Sequence, residues 1–299
     1  MVAWSIQKEE PVSIDRACRV TGLCRSLWYY QTRRDDTEVI DKLQQLVEKY
    51  SRKGIDTYYK LIRREGLKWG RNRVLRVYRL MKLSFRRKCK KRIPARLKVP
   101  LVIAEGLNKG WTMDFMSDAL VNGRRVRVLN IMDEYSREAL AVYPDYSIPS
   151  VSVINQLEIL KQHRDLPDTF RLDNGPEFTS FEFTEWCRLK NIKITYIQPG
   201  RPMQNAYIER FNKTYRDEVL DAYLFENLEE LRILSEEWMR IQNKEIPHGS
   251  LNDLTPHEFA QKAVNSGKPA SHKSQSGFTT INSHNNISSR SKKSKLSLS

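Results

Sequence analysis

Apolar residues recur every three or four positions over the first eighty or so residues, then every second position from Gly110. The first period is that of helices and the second that of strands. Ile14, Ala17, Cys18 and Val20 lead into Thr21-Gly22-Leu23, and Ser26 to Tyr30 follow, two short helices about a glycine turn. This is the outline of a helix-turn-helix, one that any small helical hairpin shares. Residues 37–50 read as an amphipathic helix with Ile40, Leu43, Val47 and Tyr50 on one side. Residues 57–65 turn Tyr58, Leu61 and Ile62 inward and end at Gly66, a C-cap. Residues 71–83 carry Val74, Leu75, Tyr78 and Met81 inward and Arg71, Arg73, Arg76, Arg79 and Lys82 on other faces.

After Gly110, Trp111, Met113 and Phe115 alternate with Thr112, Asp114 and Met116, and Val121-Asn122-Gly123-Arg124 is a hairpin turn. Val126, Val128, Asn130 and Met132 alternate along the return strand, and 138–143 makes a third. A helix is expected over 149–163, with Ile154, Leu157 and Leu160 inward, and a strand over 169–173. Asn174-Gly175-Pro176 should end regular structure there. Thr179 with Glu182 reads as a capping box for a helix burying Phe183, Trp186 and Leu189. Residues 192–197 form the fifth strand. The next helix, fenced by Pro199, Gly200 and Pro202, has an apolar stripe of Ile208, Phe211, Tyr215 and Val219. A polar stripe of Asn205, Glu209, Asn212 and Arg216 lies beside it. The last helix, 228–243, turns Leu231, Leu234 and Trp238 inward. The order β-β-β-α-β-α-β-α predicts an α/β fold, a mixed five-stranded sheet flanked by helices, preceded by an all-α region.

Charge sharpens this division. The chain of 299 residues carries a net charge of +16. Residues 52–98 hold 19 Lys or Arg against only Asp56 and Glu65, so the rest is close to neutral. A helix offering several arginines without accompanying acids suits a groove lined by phosphates, and a polyanionic partner follows. Arg86, Arg87 and Lys88 open a basic linker that should add affinity without sequence choice. The expected divisions are a helical region over 1–84, a linker over 85–106, a core over 107–262 and a Ser-, Asn- and Lys-rich tail over 263–299. Four scattered cysteines lack metal-ligand spacing, and no apolar run is long enough to span a membrane. With no secretory signal, an intracellular protein is expected.

The chemistry lies with the acids. Asp114 is on an apolar strand, Asp173 ends another, and Glu209 borders the packing face of a helix. A lone acid in a strand is ordinarily a surface residue. If the first and fourth strands are neighbours, however, these three converge on one sheet edge. Uncompensated carboxylates so placed repel one another unless a cation sits between them. With no Cys or His nearby, an all-oxygen shell favours Mg²⁺ or Mn²⁺, and two such ions suit phosphodiester displacement. Arg210, Lys213 and Arg216, with Asn174 and Asn205, are candidate DNA contacts beside the acids. Asp118, Asp133 and Glu177 are competing acids read as structural.

Trp111-Thr-Met-Asp114, Leu172-Asp173-Asn-Gly-Pro-Glu-Phe178 and Asn205-Ala-Tyr-Ile-Glu209-Arg-Phe-Asn212 resemble the integrase core of bacterial insertion-sequence transposases. The pattern is similar to the second-reading-frame proteins of the group that makes its full enzyme by ribosomal frameshifting, and extends from about residue 11 to 262. The resemblance implies an RNase H-like fold and a metal-dependent transposase acting on the element's terminal inverted repeats and target DNA. It places Asp114, Asp173 and Glu209 at the catalytic positions. A homo-oligomer, a partnership with the upstream-frame protein and a nucleoid-associated cytoplasmic location are expected with it. Gln242-Asn243 and Ile246-Pro247-His248 depart from the group's Tyr-Asn and Arg-Pro-His. Such changes fit an alternative, a catalytically impaired relic that binds the element's ends and regulates it. A nuclease acting on RNA–DNA hybrids would share the sheet but not need the N-terminal helices.

Overall fold

The structure, a computed structural model, describes residues 13–22, 24–28, 35–84, 104–197 and 205–266. The linker carrying Arg86, Arg87 and Lys88, the Pro199–Pro202 fence and nearly all of the tail lie outside the described residues. The chain divides into two compact units, residues 1–59 with 67–87 and residues 60–66 with 88–299.

In the first unit α1 (Ile14–Thr21) starts at Ser13, whose hydroxyl accepts from the Arg16 amide, and stops at Gly22 in a left-handed conformation. That conformation costs glycine no Cβ clash, so the turn to α2 (Arg25–Trp28) falls there. α3 (Thr37–Lys49) buries Val39, Leu43 and Leu46, with Tyr50 beyond its end, rather than the expected Ile40 and Val47. Both stripes satisfy a 3.6-residue period, so periodicity alone does not choose between them. α4 (Ile55–Arg64) carries Tyr58, whose hydroxyl donates to the Tyr50 carbonyl at 2.7 Å. α5 (Arg71–Leu80) buries Val74, Val77 and Tyr78, so Val77 takes the place expected for Leu75.

The second unit is a mixed sheet between helical layers. β1 (Gly110–Ala119), β2 (Arg125–Asp133) and β3 (Ala139–Asp145) form an antiparallel meander. β4 (Thr169–Leu172) and β5 (Lys193–Tyr196) add in parallel to the other side of β1, giving the order β3-β2-β1-β4-β5. This is the RNase H-like arrangement. Gly123 at φ 79° makes the tight β1–β2 turn.

The two sides of the strands bury two separate cores. Trp111, Met113, Leu129, Ile131 and Phe170 pack with α6 (Ser150–Lys161), α7 (Pro176–Thr179) and α8 (Phe181–Leu189). Met116, Val126, Val128 and Val142 pack with α9 (Ala206–Tyr215), the π-helical turn Arg216–Leu220 and α10 (Leu228–Lys244). α11 (Pro256–Ser266) closes a third cluster through Phe259 and Tyr135. Each large apolar side chain so buried contributes about 1.5–3 kcal/mol.

Two local expectations are corrected. Pro176 does not end regular structure but takes the first position of α7, where its missing N–H is harmless. The cap of α8 is Ser180, whose hydroxyl accepts from Phe183 N at 3.2 Å, one residue beyond the expected Thr179. Among the described residues no helix is long and apolar enough to cross a membrane.

Candidate active site

Strand alternation decides which way Asp114 faces. Trp111, Met113 and Phe115 serve the α6–α8 side, so Thr112, Asp114 and Met116 face α9. β4 pairs in parallel with β1 as far as Thr112 beside Arg171, and Asp173 follows directly on the end of β4, on the strand next to that of Asp114. α9 lays Ile208, Phe211 and Tyr215 into the core of that side and leaves Glu209 at its exposed flank. Phe211 and Tyr215 both meet Trp238 edge-on, at 5.3 and 5.1 Å between ring centres, which fixes the rotation of the helix.

Asp114 is half-buried and the other two acids are exposed. Burial pushes the Asp114 carboxyl up to about 6, against the hydrogen bond from the Phe115 amide. The charges of Asp173 and Glu209 push the same way, and the Asn212 amide opposes them. Asp114 therefore senses both distant acids. The three do not close into one ligand group, however: among the described residues no three His, Cys, Asp or Glu side chains form a cluster that could hold a metal ion. Two of them are held from elsewhere. Asp114 accepts from Phe115 N and Asn212 Nδ2, both at 2.8 Å, and Asp173 accepts from Gly175 N at 3.1 Å. Like charge gives them no reason to converge unaided. Their chemistry suits a hard divalent cation, being oxygen donors alone.

The loop after Asp173 is pinned at its far end. Glu177 pairs with Arg127 of β2, whose guanidinium also lies 4.3 Å from the centre of the Phe115 ring. A Cβ on Gly175 would come within 3.1 Å of Asp173 Oδ1 and 3.3 Å of Glu177 Oε2, so a side chain there would crowd both acids. At the start of α9, the buried Arg137 stacks 3.2 Å from the centre of the Tyr207 ring, and Glu134 pairs with Arg171 at 3.2 Å. Asp133 caps its own turn, accepting from Tyr135 N, Ser136 N and Asn108 N.

The candidate DNA contacts fare unequally. Asn205 is buried and accepts from Thr112 Oγ1 at 2.8 Å, so it anchors the helix. Arg216 donates to the Ser117 carbonyl at 2.8 Å and Lys213 pairs with Asp217. Asn174 and Arg210 are exposed, and Arg210 makes no ion pair among the described residues. In the helical unit the arginines are not without acids as the sequence suggested. Arg71 meets Asp56 at 2.7 Å, and Asp36 takes both Arg73, at 3.1 Å, and Arg76, at 2.6 Å. Asp36 lies outside the counted basic segment and is brought in by folding. Arg79 is exposed and makes no ion pair among the described residues.

Sequence reading missed the roles of Asn130 and Arg127, and read Glu177 as structural without finding its partner. Asn130 did leave a signal, a polar residue where the alternation of β2 asks for an aliphatic. Arg127 and Glu177 left none, because a pair so far apart in sequence is visible only once β2 and the loop are side by side.

The class, polynucleotidyl transferases with an integrase-like core, is shown by family and relatives. Two family models, each described as an integrase core domain, match residues 104–202 and 190–256. A 31.7 kDa protein of insertion element IS407 from Burkholderia multivorans is 36% identical over 260 residues, covering 86% of this chain and 94% of that protein. A 39.2 kDa protein of insertion element IS476 from Xanthomonas euvesicatoria is 34% identical over 252 residues, covering 84% and 73%. The HTLV-2 integrase catalytic core domain in complex with magnesium is 18% identical, covers 53% of this chain and 98% of that one, and superposes with a TM-score of 0.42. The chain belongs to the integrase-core family of insertion-element transposases, enzymes of DNA integration and transposition.

Proposed function

We propose that Asp114, Asp173 and Glu209 are the carboxylates with which this transposase cleaves the ends of its element and joins them to target DNA. One observation carries the assignment: a carboxyl in the middle of β1 is electrostatically coupled to two acids far away in sequence, on the side of the sheet that α9 covers. These residues would hold Mg²⁺ or Mn²⁺, two ions being the arrangement that suits phosphodiester displacement. The bound cation supplies positive charge to the attacking and departing oxygens.

The chain's own residues supply position. Phe115 N and Asn212 Nδ2 fix both oxygens of Asp114, and Gly175 N fixes one of Asp173. The Arg127–Glu177 pair holds the loop that carries Asp173. Such preorganisation is what phosphoryl transfer demands, because little covalent chemistry falls to the protein. Asn174 and Arg210, exposed beside the acids, are the remaining candidates for contact with the DNA backbone there, and Arg79 in the helical unit. The element's inverted repeats are the proposed ligand of that unit. A homo-oligomer that brings two ends together, and cooperation with an upstream-frame product, complete the proposal.

The relic reading is not favoured. Asn243, between the two departures from the family pattern, brackets Ala139 with hydrogen bonds of 2.9 and 2.8 Å, and Ile246 is buried. That segment is bonded to the start of β3 and packed, not decayed. The test is cleavage of a labelled duplex bearing the element's ends, with Mg²⁺, by Asp114→Asn, Asp173→Asn and Glu209→Gln. Each is expected to abolish cleavage while binding the duplex as wild type does in a gel shift. Wild-type cleavage by any one of them removes that residue from the site.

A further inference from the structure

Asn130 is fully buried at the centre of β2, directly across from Asp114 in the antiparallel register. Val126, Val128 and Met132 share its face and are all buried and apolar. Its Nδ2 donates to Asn212 Oδ1 at 2.7 Å and lies 3.3 Å from Met116 Sδ. Asn212 Nδ2 in turn donates to Asp114 Oδ2 at 2.8 Å. Asn130 Oδ1 has no hydrogen-bond partner among the described residues.

The direction of this chain is forced. An ionised carboxylate only accepts, so Asn212 must turn its NH₂ to Asp114. That leaves the Asn212 carbonyl facing Asn130, which must then offer its own NH₂. Nothing remains to meet the Asn130 carbonyl, and a buried acceptor left without a donor destabilises the fold. An aliphatic side chain in the same place would remove that penalty, though it would leave the Asn212 carbonyl without its donor. A buried amide that works against stability is explained if it orients something.

We propose that Asn130 is a positioning residue. By fixing which end of the Asn212 amide faces the sheet, it holds the Asp114 carboxylate in one orientation. The inference rests on the assignment of Asp114 to the catalytic carboxylates.

The test uses the full chain with Asn130→Leu, Asn212→Ala, the double variant and Asp114→Asn. Asn130→Leu, which exchanges one unpaired buried carbonyl for another, is expected to fold with a Tm within a few degrees of wild type and to bind end-containing duplex unchanged. Its kcat for cleavage should fall roughly 10-fold, at the low end of what losing a direct partner of a ligating group costs, because Asn212 itself remains. The Mg²⁺ concentration for half-maximal rate should rise. In metal-free protein the side-chain amide protons of Asn212 should exchange with solvent faster than in wild type, which a packing defect elsewhere would not produce. In the Asn212→Ala background, Asn130→Leu should cost less than about twofold more, because the path through Asn212 is already cut.

Cleavage by Asn130→Leu within about twofold of wild type overturns the proposal, as do losses that multiply in the double variant. If neither Asn130→Leu nor Asn130→Val folds, the amide serves folding and the proposal fails. Asp114→Asn separates the two levels. If it retains cleavage, the assignment of the acids falls; if it is inactive while Asn130→Leu is at the wild-type rate, only the role of Asn130 falls.

Discussion

Stripped of divalent cations, the fold should work against its own Asp114. Its carboxyl is pushed from 3.8 up to about 6, first by burial and then by the charges of Asp173 and Glu209. The folded state therefore binds this proton more tightly than the unfolded chain. Stability from this group is highest in acid, falls as pH rises through about 4 to 6, and is flat above. The full effect is roughly 3 kcal/mol at about 1.4 kcal/mol per pH unit, of which roughly 1.4 kcal/mol develops between about pH 5 and 7.5. Other carboxylates blur a raw profile: Glu134 is raised by burial, while the guanidinium partners of Glu177 and Glu258 hold those two low. Comparison with Asp114→Asn cancels them. In EDTA the variant's Tm minus that of wild type should grow by roughly 3–6 °C from about pH 5 to 7.5, read by circular dichroism. Any change in hydrogen bonding that the amide brings is an offset independent of pH, so the slope is the readout. Added Mg²⁺ should raise the Tm of wild type far more than that of the variant. Curves that stay parallel across this range, with or without the cation, refute the tighter hold of folded Asp114 on its proton.

Four further outcomes follow from the structure. Arg127→Ala frees Glu177 and with it the loop bearing Asp173, so end cleavage should fall roughly 10–100-fold while gel-shift affinity for the same duplex holds. Ser235→Ala removes the partner of the buried Tyr215 hydroxyl, which lies 2.7 Å away, and should cost about 1–3 kcal/mol in urea unfolding. Arg79→Ala should weaken DNA binding and lower the slope of log affinity against log salt by about 1. Arg76→Ala should instead lower the Tm, because its guanidinium is committed to Asp36.

The sheet was legible because its strands alternate cleanly and its turns carry Asn-Gly and Asn-Gly-Pro. The stripe Ile208, Phe211, Tyr215 and Val219 was legible for the same reason, and all four are buried. Asp114, Asp173 and Glu209 stood out through motif and spacing. What escaped was set by contacts between distant segments. Rotation of α3 by one residue, Asp36 between Arg73 and Arg76, and Glu177 on Arg127 each depend on what a neighbour presents. The bonds of Asn205 and Arg216 to β1 escaped for a related reason: on a polar stripe, a residue that anchors the helix and one that meets DNA look alike until the strand beneath is known.

That strand explains why α9 carries polar residues on its inner border at all. Thr112 bonds Asn205, Asp114 bonds Asn212, and the Ser117 carbonyl bonds Arg216. Five residues of strand advance about 17 Å and eleven residues of helix about 16.5 Å. Helix and strand therefore keep pace in the same direction, and the three contacts form one register. An apolar stripe alone would tolerate a slip of one helical turn, since Ile208, Phe211, Tyr215 and Val219 repeat at nearly that interval. The same slip would break all three polar contacts together and strand buried Asn205 and Asn212 without partners. Glu209 lies between these two anchors, so its height along β1 is set by them and not by hydrophobic packing. The polar seam thus specifies where the third acid stands relative to the first, at a cost in stability that the unpaired carbonyl of Asn130 makes visible.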